Sequence, residues 1–240
     1  IIEEGAGDIL PTEVGFFNKK QIKEGSRNAT LSRFAGRVLK RFGETEKAYE
    51  LFMEEAAKCE PPLADDELQT IWRSARKFYS KVKNSPDYIP PEKYAEQNPL
   101  VPPDFSDIGE AKIFVQEYGE ELCFTEATGY LRYNGTYWAE SDELALGAAI
   151  EFMDLQLSDA LAKYTAARKA LEMAGLTEKE VVSKKFEPSE DEKELVRNFI
   201  FSKEYYDFVM KRRNMRCIKP MLEAAKPMLF HDISEFDNQE

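Results

Sequence analysis

Apolar residues recur every three to four positions along most of this chain and alternate with polar ones over one short stretch only, which predicts a mainly helical protein with a small sheet. Residues 28–43, drawn at about 100° per residue, place Leu31, Phe34, Ala35, Val38 and Leu39 on one side and Arg33, Arg37, Lys40 and Arg41 on the other. Asn28 or Thr30 could cap this helix, and Gly43 ends it. A second helix is expected over residues 45–59, where Ala48, Phe52, Ala56 and Cys59 fall at helical spacing before Pro61-Pro62 stops the run. A third starts at Asp65 and carries the stripe Leu68, Ile71, Trp72, Ala75, Phe78 and Tyr79. Three short helices joined by tight turns make a compact module over residues 23–84. Residues 1–22, broken by Gly5, Gly7, Pro11 and Gly15, read as a loop or the remnant of a preceding domain.

The pattern then breaks. Residues 85–104 hold Pro86, Pro90, Pro91, Pro99, Pro102 and Pro103, half of the chain's 12 prolines, and are expected to form an extended linker. Beyond it, Asp107-x-x-Glu110 reads as a capping box ahead of Ala111, Phe114, Val115 and Tyr118, with Gly119 as the stop. The period drops to two over 122–124, 130–133 and 136–139, and Asn134-Gly135 between the last two is a strong hairpin signal. Helical spacing returns over 143–174, 189–201, 202–213 and 219–229. The expected architecture is mainly α: a small N-terminal helical bundle, a Pro-rich linker, then an α+β domain over residues 105–240 with a small antiparallel sheet and a C-terminal helical bundle.

Charge adds a division that periodicity does not show. The chain carries a net charge of −12, yet residues 19–41 contain eight cations and one acid. Residues 19–83 come to +5, which leaves −17 for the rest. A helix with one buried face and four cations on the other suggests a surface that holds something anionic, against the plainer reading of a solvated face. In the third helix, Arg73, Arg76, Lys77, Lys81 and Lys83 occur with no acid between Trp72 and Asn84. The candidate nucleic-acid contacts are therefore Arg27, Asn28, Arg33, Arg37, Lys40, Arg41, Arg73, Arg76 and Lys77, whose binding would weaken steeply with salt. Trp72, Phe78 and Tyr79 could stack on bases, but their spacing favours the core.

Catalytic chemistry finds little support. There is one histidine, His231, and Cys59, Cys123 and Cys217 stand far apart, so neither a zinc site nor a disulfide framework is expected. No Gly-x-x-x-x-Gly-Lys-Ser/Thr loop occurs. The acid runs Asp65-Asp66-Glu67 and Glu190-Asp191-Glu192 sit at predicted helix starts, where the helix dipole favours them. No apolar run reaches the roughly 20 residues of a membrane helix, and a cytoplasmic location is expected.

Several motifs together resemble a known family. Gly25-x-Arg27-Asn28, Leu31-x-x-x-Ala35-Gly36-x-Val38-x-x-Arg41-x-Gly43, Cys59-x-Pro61-Pro62-Leu63 and Glu67-x-x-x-Ile71-x-x-Ser74-Ala75 resemble the primase C-terminal helical domain of phage and plasmid primase-helicases. Phe105-Ser106-Asp107-x-Gly109-x-Ala111, Tyr118-Gly119, the Tyr133–Trp138 hairpin and the late helices are similar to the domain that precedes the superfamily 3 helicase in the same proteins. The resemblance implies an upstream primase and a downstream hexameric ATPase. It also implies single-stranded DNA template or primer as partner, a possible homo-oligomer built through the helicase, and ATP and a divalent metal needed by the parent but no cofactor in this piece. The lack of an initiator Met and the ending at Glu240 agree with a fragment of a longer replication protein.

Two other readings remain open on the residues alone. A duplex-DNA regulator could use a basic helix among three, although Pro61-Pro62 fits poorly where a helix-turn-helix needs a short turn. A protein–protein scaffold would set the cations against acidic partners, including the chain's own acidic half. Ala35-Gly36 is expected to be a close helix-packing point.

Overall fold

The computed structural model describes residues 21–84, 88–94, 100–134, 137–183 and 185–232. Helix α1 (Arg27–Phe42) buries Leu31, Phe34, Ala35, Val38 and Leu39 as its stripe requires. It starts earlier than expected: Ser26 takes the N-cap position, with neither Asn28 nor Thr30 as cap. At the other end, Gly43 has a φ of 67°, open to glycine without strain, and its N–H donates to Leu39 O at 2.8 Å. Helix α2 (Glu46–Ala56) is capped by Thr45 Oγ1, which accepts from the Ala48 N–H. Its expected last residue, Cys59, has instead become part of a two-residue strand. There β1 (Ile22–Lys23) pairs in parallel with β2 (Cys59–Glu60), a long-range pairing that no local periodicity could announce. Helix α3 (Asp65–Val82) carries Asp65, Asp66 and Glu67 in its first turn. Trp72 and Tyr79 join the core of this first unit, while Phe78 is 42% exposed.

One helical turn, α4 (Pro91–Tyr94), lies inside the Pro-rich stretch expected to be extended. A proline at the first helical position loses no hydrogen bond, so the turn is permitted. Helix α5 (Asp107–Tyr118) is capped by Ser106, whose Oγ accepts from the Gly109 N–H, and not by the Asp107/Glu110 box; Glu110 is fully buried. The sheet is β3 (Leu122–Thr125), β4 (Gly129–Tyr133) and β5 (Trp138–Glu140), antiparallel in the order β3-β4-β5. Tyr133 pairs with Trp138, so four residues connect the strands where two were expected. Gly135 and Thr136, within that connection, lie outside the described residues, as do residues 1–20 of the loop expected over 1–22, whose Ile22 belongs to β1.

Helix α6 (Asp142–Met173) forms the spine of the second unit. Its first half packs Ala148, Ala149, Phe152 and Met153 into a core shared with α5, the sheet and α9, and its second half lies along α8. The short α7 (Glu178–Val181) follows, and Thr177 caps it. Helix α8 (Lys193–Arg212) is continuous where two helices meeting at Ser202 were expected; Ser202 is buried in its middle and breaks nothing. Helix α9 (Met215–Ala225) begins four residues before the expected start, because Asn214 caps it and Pro220 is accommodated inside, before a 3-10 turn (Lys226–Met228). Tyr205 of α8 and Gln156 of α6 both donate to Leu100 O, at 2.9 and 3.0 Å, and so tie down the end of the linker. The expected mainly α fold with a small antiparallel sheet is the one observed. Cys59 and Cys123 are buried and all three cysteines are free thiols.

Candidate nucleic-acid interface and the seam behind it

The nine candidate contacts do not form one surface. Arg27 turns back on its own unit: its Nη1 donates to Pro61 O at 2.6 Å and to Pro62 O at 3.3 Å, bracing the turn that holds the cis Glu60–Pro61 peptide. Asn28 is exposed on the first turn of α1. Arg73, Arg76 and Lys77 are all exposed along one side of α3, and Arg76 alone among them pairs with an acid, Glu44, through Nη2 at 2.5 Å. Phe78 is exposed as well, but about 100° around the helix from Lys77.

Arg33, Arg37, Lys40 and Arg41 look the other way, into the second unit. The acids that receive them come from one elbow, where α5 runs out at Tyr118 and the chain turns through Gly119, Glu120 and Glu121 into β3. Arg37 Nη1 donates to Glu121 Oε1 at 2.9 Å, and Arg33 Nε stands 3.3 Å from Glu121 Oε2. Lys40 Nζ donates to Gln116 O at 2.5 Å and lies 3.5 Å from Glu120. Arg41 Nη2 donates to Glu117 Oε2 at 3.2 Å, in a pair whose side chains are 5% and 2% exposed.

A fifth cation arrives from the sheet. Arg132 faces inward on β4, where alternation sends Tyr130 and Arg132 to the same side. Its guanidinium reaches both oxygens of Glu151 on α6, at 2.7 and 3.3 Å, and lies 3.5 Å from Glu121. Arg37 completes the group, 3.9 Å from Glu151 and with its guanidinium 5.3 Å from the centre of the Tyr118 ring. Three guanidiniums thus share two carboxylates. Burial alone would raise the Glu151 carboxyl, but Arg37 and Arg132 outweigh it and hold it below its ordinary range. Burial, reinforced by the neighbouring Arg132 charge, pulls Arg33 below the usual guanidinium value, whereas Arg37 is held above it despite its burial by Tyr118, Glu121 and Glu151.

A cleft of about 150 Å³ opens beside this cluster, bordered by Arg33, Gly36, Arg37, Phe78, Glu120 and Tyr133. Gly36 is not the packing point expected from the sequence, since a Cβ placed there would meet nothing within 4 Å. It faces the cleft. Glu117, Glu120, Glu121, Arg132 and Glu151 are residues of this seam that the spacing of the chain does not single out; their trace is the excess of acid in the second half and the Glu117-x-x-Glu120-Glu121 run. Among the described residues no group of three or more His, Cys, Asp or Glu is placed to hold a metal ion, and no helix is long and apolar enough to cross a membrane.

Two families match this architecture in the order that the fold presents. Residues 18–79 match Primase C terminal 1 (PriCT-1), and residues 111–240 match D5 N terminal like, the region that precedes a superfamily 3 helicase. The chain belongs to the phage and plasmid primase-helicase family. No curated protein and no solved structure gives a match.

Proposed function

We propose that this chain is the noncatalytic middle of a mobile-element primase-helicase, holding single-stranded template or primer on α3 while α1 couples the primase-side unit to the helicase-side unit. The observation that carries this reading is the way the fold sorts the cations. Arg33, Arg37, Lys40 and Arg41 are committed to carboxylates of the second unit, and Arg73, Arg76 and Lys77 stand exposed beside Phe78. A helix that exposes cations on one side and an aromatic ring on the adjoining one suits a single strand wrapped around it, whose phosphates the cations neutralise and whose bases stack on the ring. Side-chain ion pairs between units suit a coupler that transmits position and performs no chemistry.

The reading is tested by titrating the chain with a labelled oligothymidine across a salt series. An Arg73→Ala, Arg76→Ala, Lys77→Ala chain is expected to bind more weakly and to show a dependence of log K on log salt shallower by about 2, since each phosphate contact on a single strand contributes about 0.7. Unchanged affinity and slope would remove α3 as the contact. Preferential binding of a duplex competitor would favour a duplex regulator instead.

A further inference from the structure

We propose that the seam between the two units is a reversible electrostatic latch, in which the acidic elbow of residues 117–121 occupies Arg33, Arg37 and Lys40 in place of nucleic-acid phosphates. Single-stranded DNA and the elbow then compete for the same cations, and binding of the strand to α1 requires the seam to open. The inference rests on the reading that the parent handles single-stranded DNA.

The seam has the composition of a contact that can be exchanged. The apolar residues of the first unit form one cluster and those of the second form others, and none of these clusters spans the two units. No extensive packing of one backbone element on another crosses the seam; long charged side chains bridge it. Opening it trades ion pairs for water or for other anions and uncovers the Tyr118 ring, with the buried Arg41–Glu117 pair the contact that resists most. A phosphodiester offers a guanidinium the same paired oxygens as a carboxylate, so exchanging one for the other changes little in kind.

The pairing is also incomplete. Arg33 Nε and Glu121 Oε2 are buried with no hydrogen-bond partner although they lie 3.3 Å apart, and Arg132 Nε is buried and unpartnered as well. Among the described residues, Arg33, Arg37 and Arg132 share Glu121 and Glu151 alone, which leaves the cluster one anion short. An incoming phosphate supplies that anion, whereas a fully satisfied buried network would resist it. Access exists already. The cleft reaches Arg33 and Arg37, Gly36 leaves it open, and Phe78 of α3 lies on its rim, next in sequence to the exposed Lys77. A strand that wraps around α3 from Lys77 to Phe78 thus reaches the mouth of the latch.

The test uses the full chain and a fluorescein-labelled oligothymidine. A Glu120→Gln, Glu121→Gln chain is expected to bind at least about tenfold tighter than the unaltered chain, with a salt slope steeper by about 2. Adding Arg33→Ala and Arg37→Ala to it should abolish the gain, while the same two substitutions in the unaltered chain change affinity less than about twofold, because there the arginines are already occupied. Removing acid anywhere could favour DNA binding, so Glu50→Gln, Glu54→Gln on the exposed face of α2 serves as the charge control. An equal gain in that control overturns the latch, and so does no gain in the elbow variant or an equal loss from the arginine substitutions in both backgrounds. Should the double elbow variant not fold, Glu120→Gln alone carries the test. Its carboxylate is 40% exposed, and its gain should vanish when Lys40→Ala is added. Binding through Arg73, Arg76 and Lys77 with no gain in the elbow variants sinks the latch and leaves the proposed function standing. Tight binding by the elbow variants that is indifferent to the α3 substitutions does the reverse.

Discussion

Phe152→Ala is expected to lower the stability of the chain by about 3–5 kcal/mol, read from a denaturant titration as a fall in midpoint at unchanged slope. Phe152 is fully buried on α6, with its ring edge-on to Phe114 at 5.5 Å and to Tyr118 at 6.2 Å between centroids. Truncation removes those contacts and leaves a cavity at the centre of the α5–α6 packing, which the surrounding rings can only partly fill. The effect should reach the seam. Tyr118 is the last residue of α5, it lies under the Arg37 guanidinium, and it fixes the level at which Glu120 and Glu121 leave the helix. A Phe152→Leu chain, which keeps more of the volume, should recover most of the loss. A loss under about 1 kcal/mol for Phe152→Ala would mean that α5 is not held by this cluster.

The second large effect depends on pH. Glu110 is fully buried on α5, with Oε1 unpartnered and Oε2 3.4 Å from the Gln156 amide. Burial pushes its carboxyl up to about 7 from 4.5, against the hydrogen bond from Gln156 and the charge of Arg212, with Asp107 adding to the rise. The folded chain therefore binds this proton more tightly than the unfolded one. Its contribution is fully present below about pH 4.5 and is lost as the pH rises through about 7, a change on the order of 3 kcal/mol. Glu110→Gln removes the titrating group while keeping its shape. The variant should be more stable than the unaltered chain at pH 8 and lose that advantage by pH 5. Parallel stability curves for the two chains between pH 4 and 8 would contradict the burial of an uncompensated carboxyl.

How far the sequence discloses this molecule depends on the range over which each feature is determined. The stripes of α1 and α3 are written within single helices, and the fold buries them at every position but Phe78, which stays 42% exposed. Ser202 misleads because a hydroxyl residue at a would-be boundary looks like a cap; only the packing of α8 on α6 shows that it is interior. The β1–β2 pair has no local signal, since two residues meet partners 37 positions away. Gly36 shows the same limit in reverse: its place beside Ala35 suggests tight packing, and only the neighbouring unit reveals that it faces a cleft. The cationic face of α1 is legible, but what it faces is not. Arg37 and Glu121 are 84 residues apart, and no periodicity links them. The sign change across the Pro-rich stretch is the trace that survives, and it fits a chain whose basic part meets its own acidic part as well as it fits one that meets DNA.

The length of α6 gives the seam a mechanical reach. Glu151 stands near its first third and Met173 at its end, about 33 Å further along an unbroken helix rising 1.5 Å per residue. Over that length a tilt of roughly 10° about the Glu151 end would carry the far end about 6 Å sideways. Because α8 lies along the same rod, a tilt of α6 would carry both helices at the end of the domain where Met173 is 82% exposed.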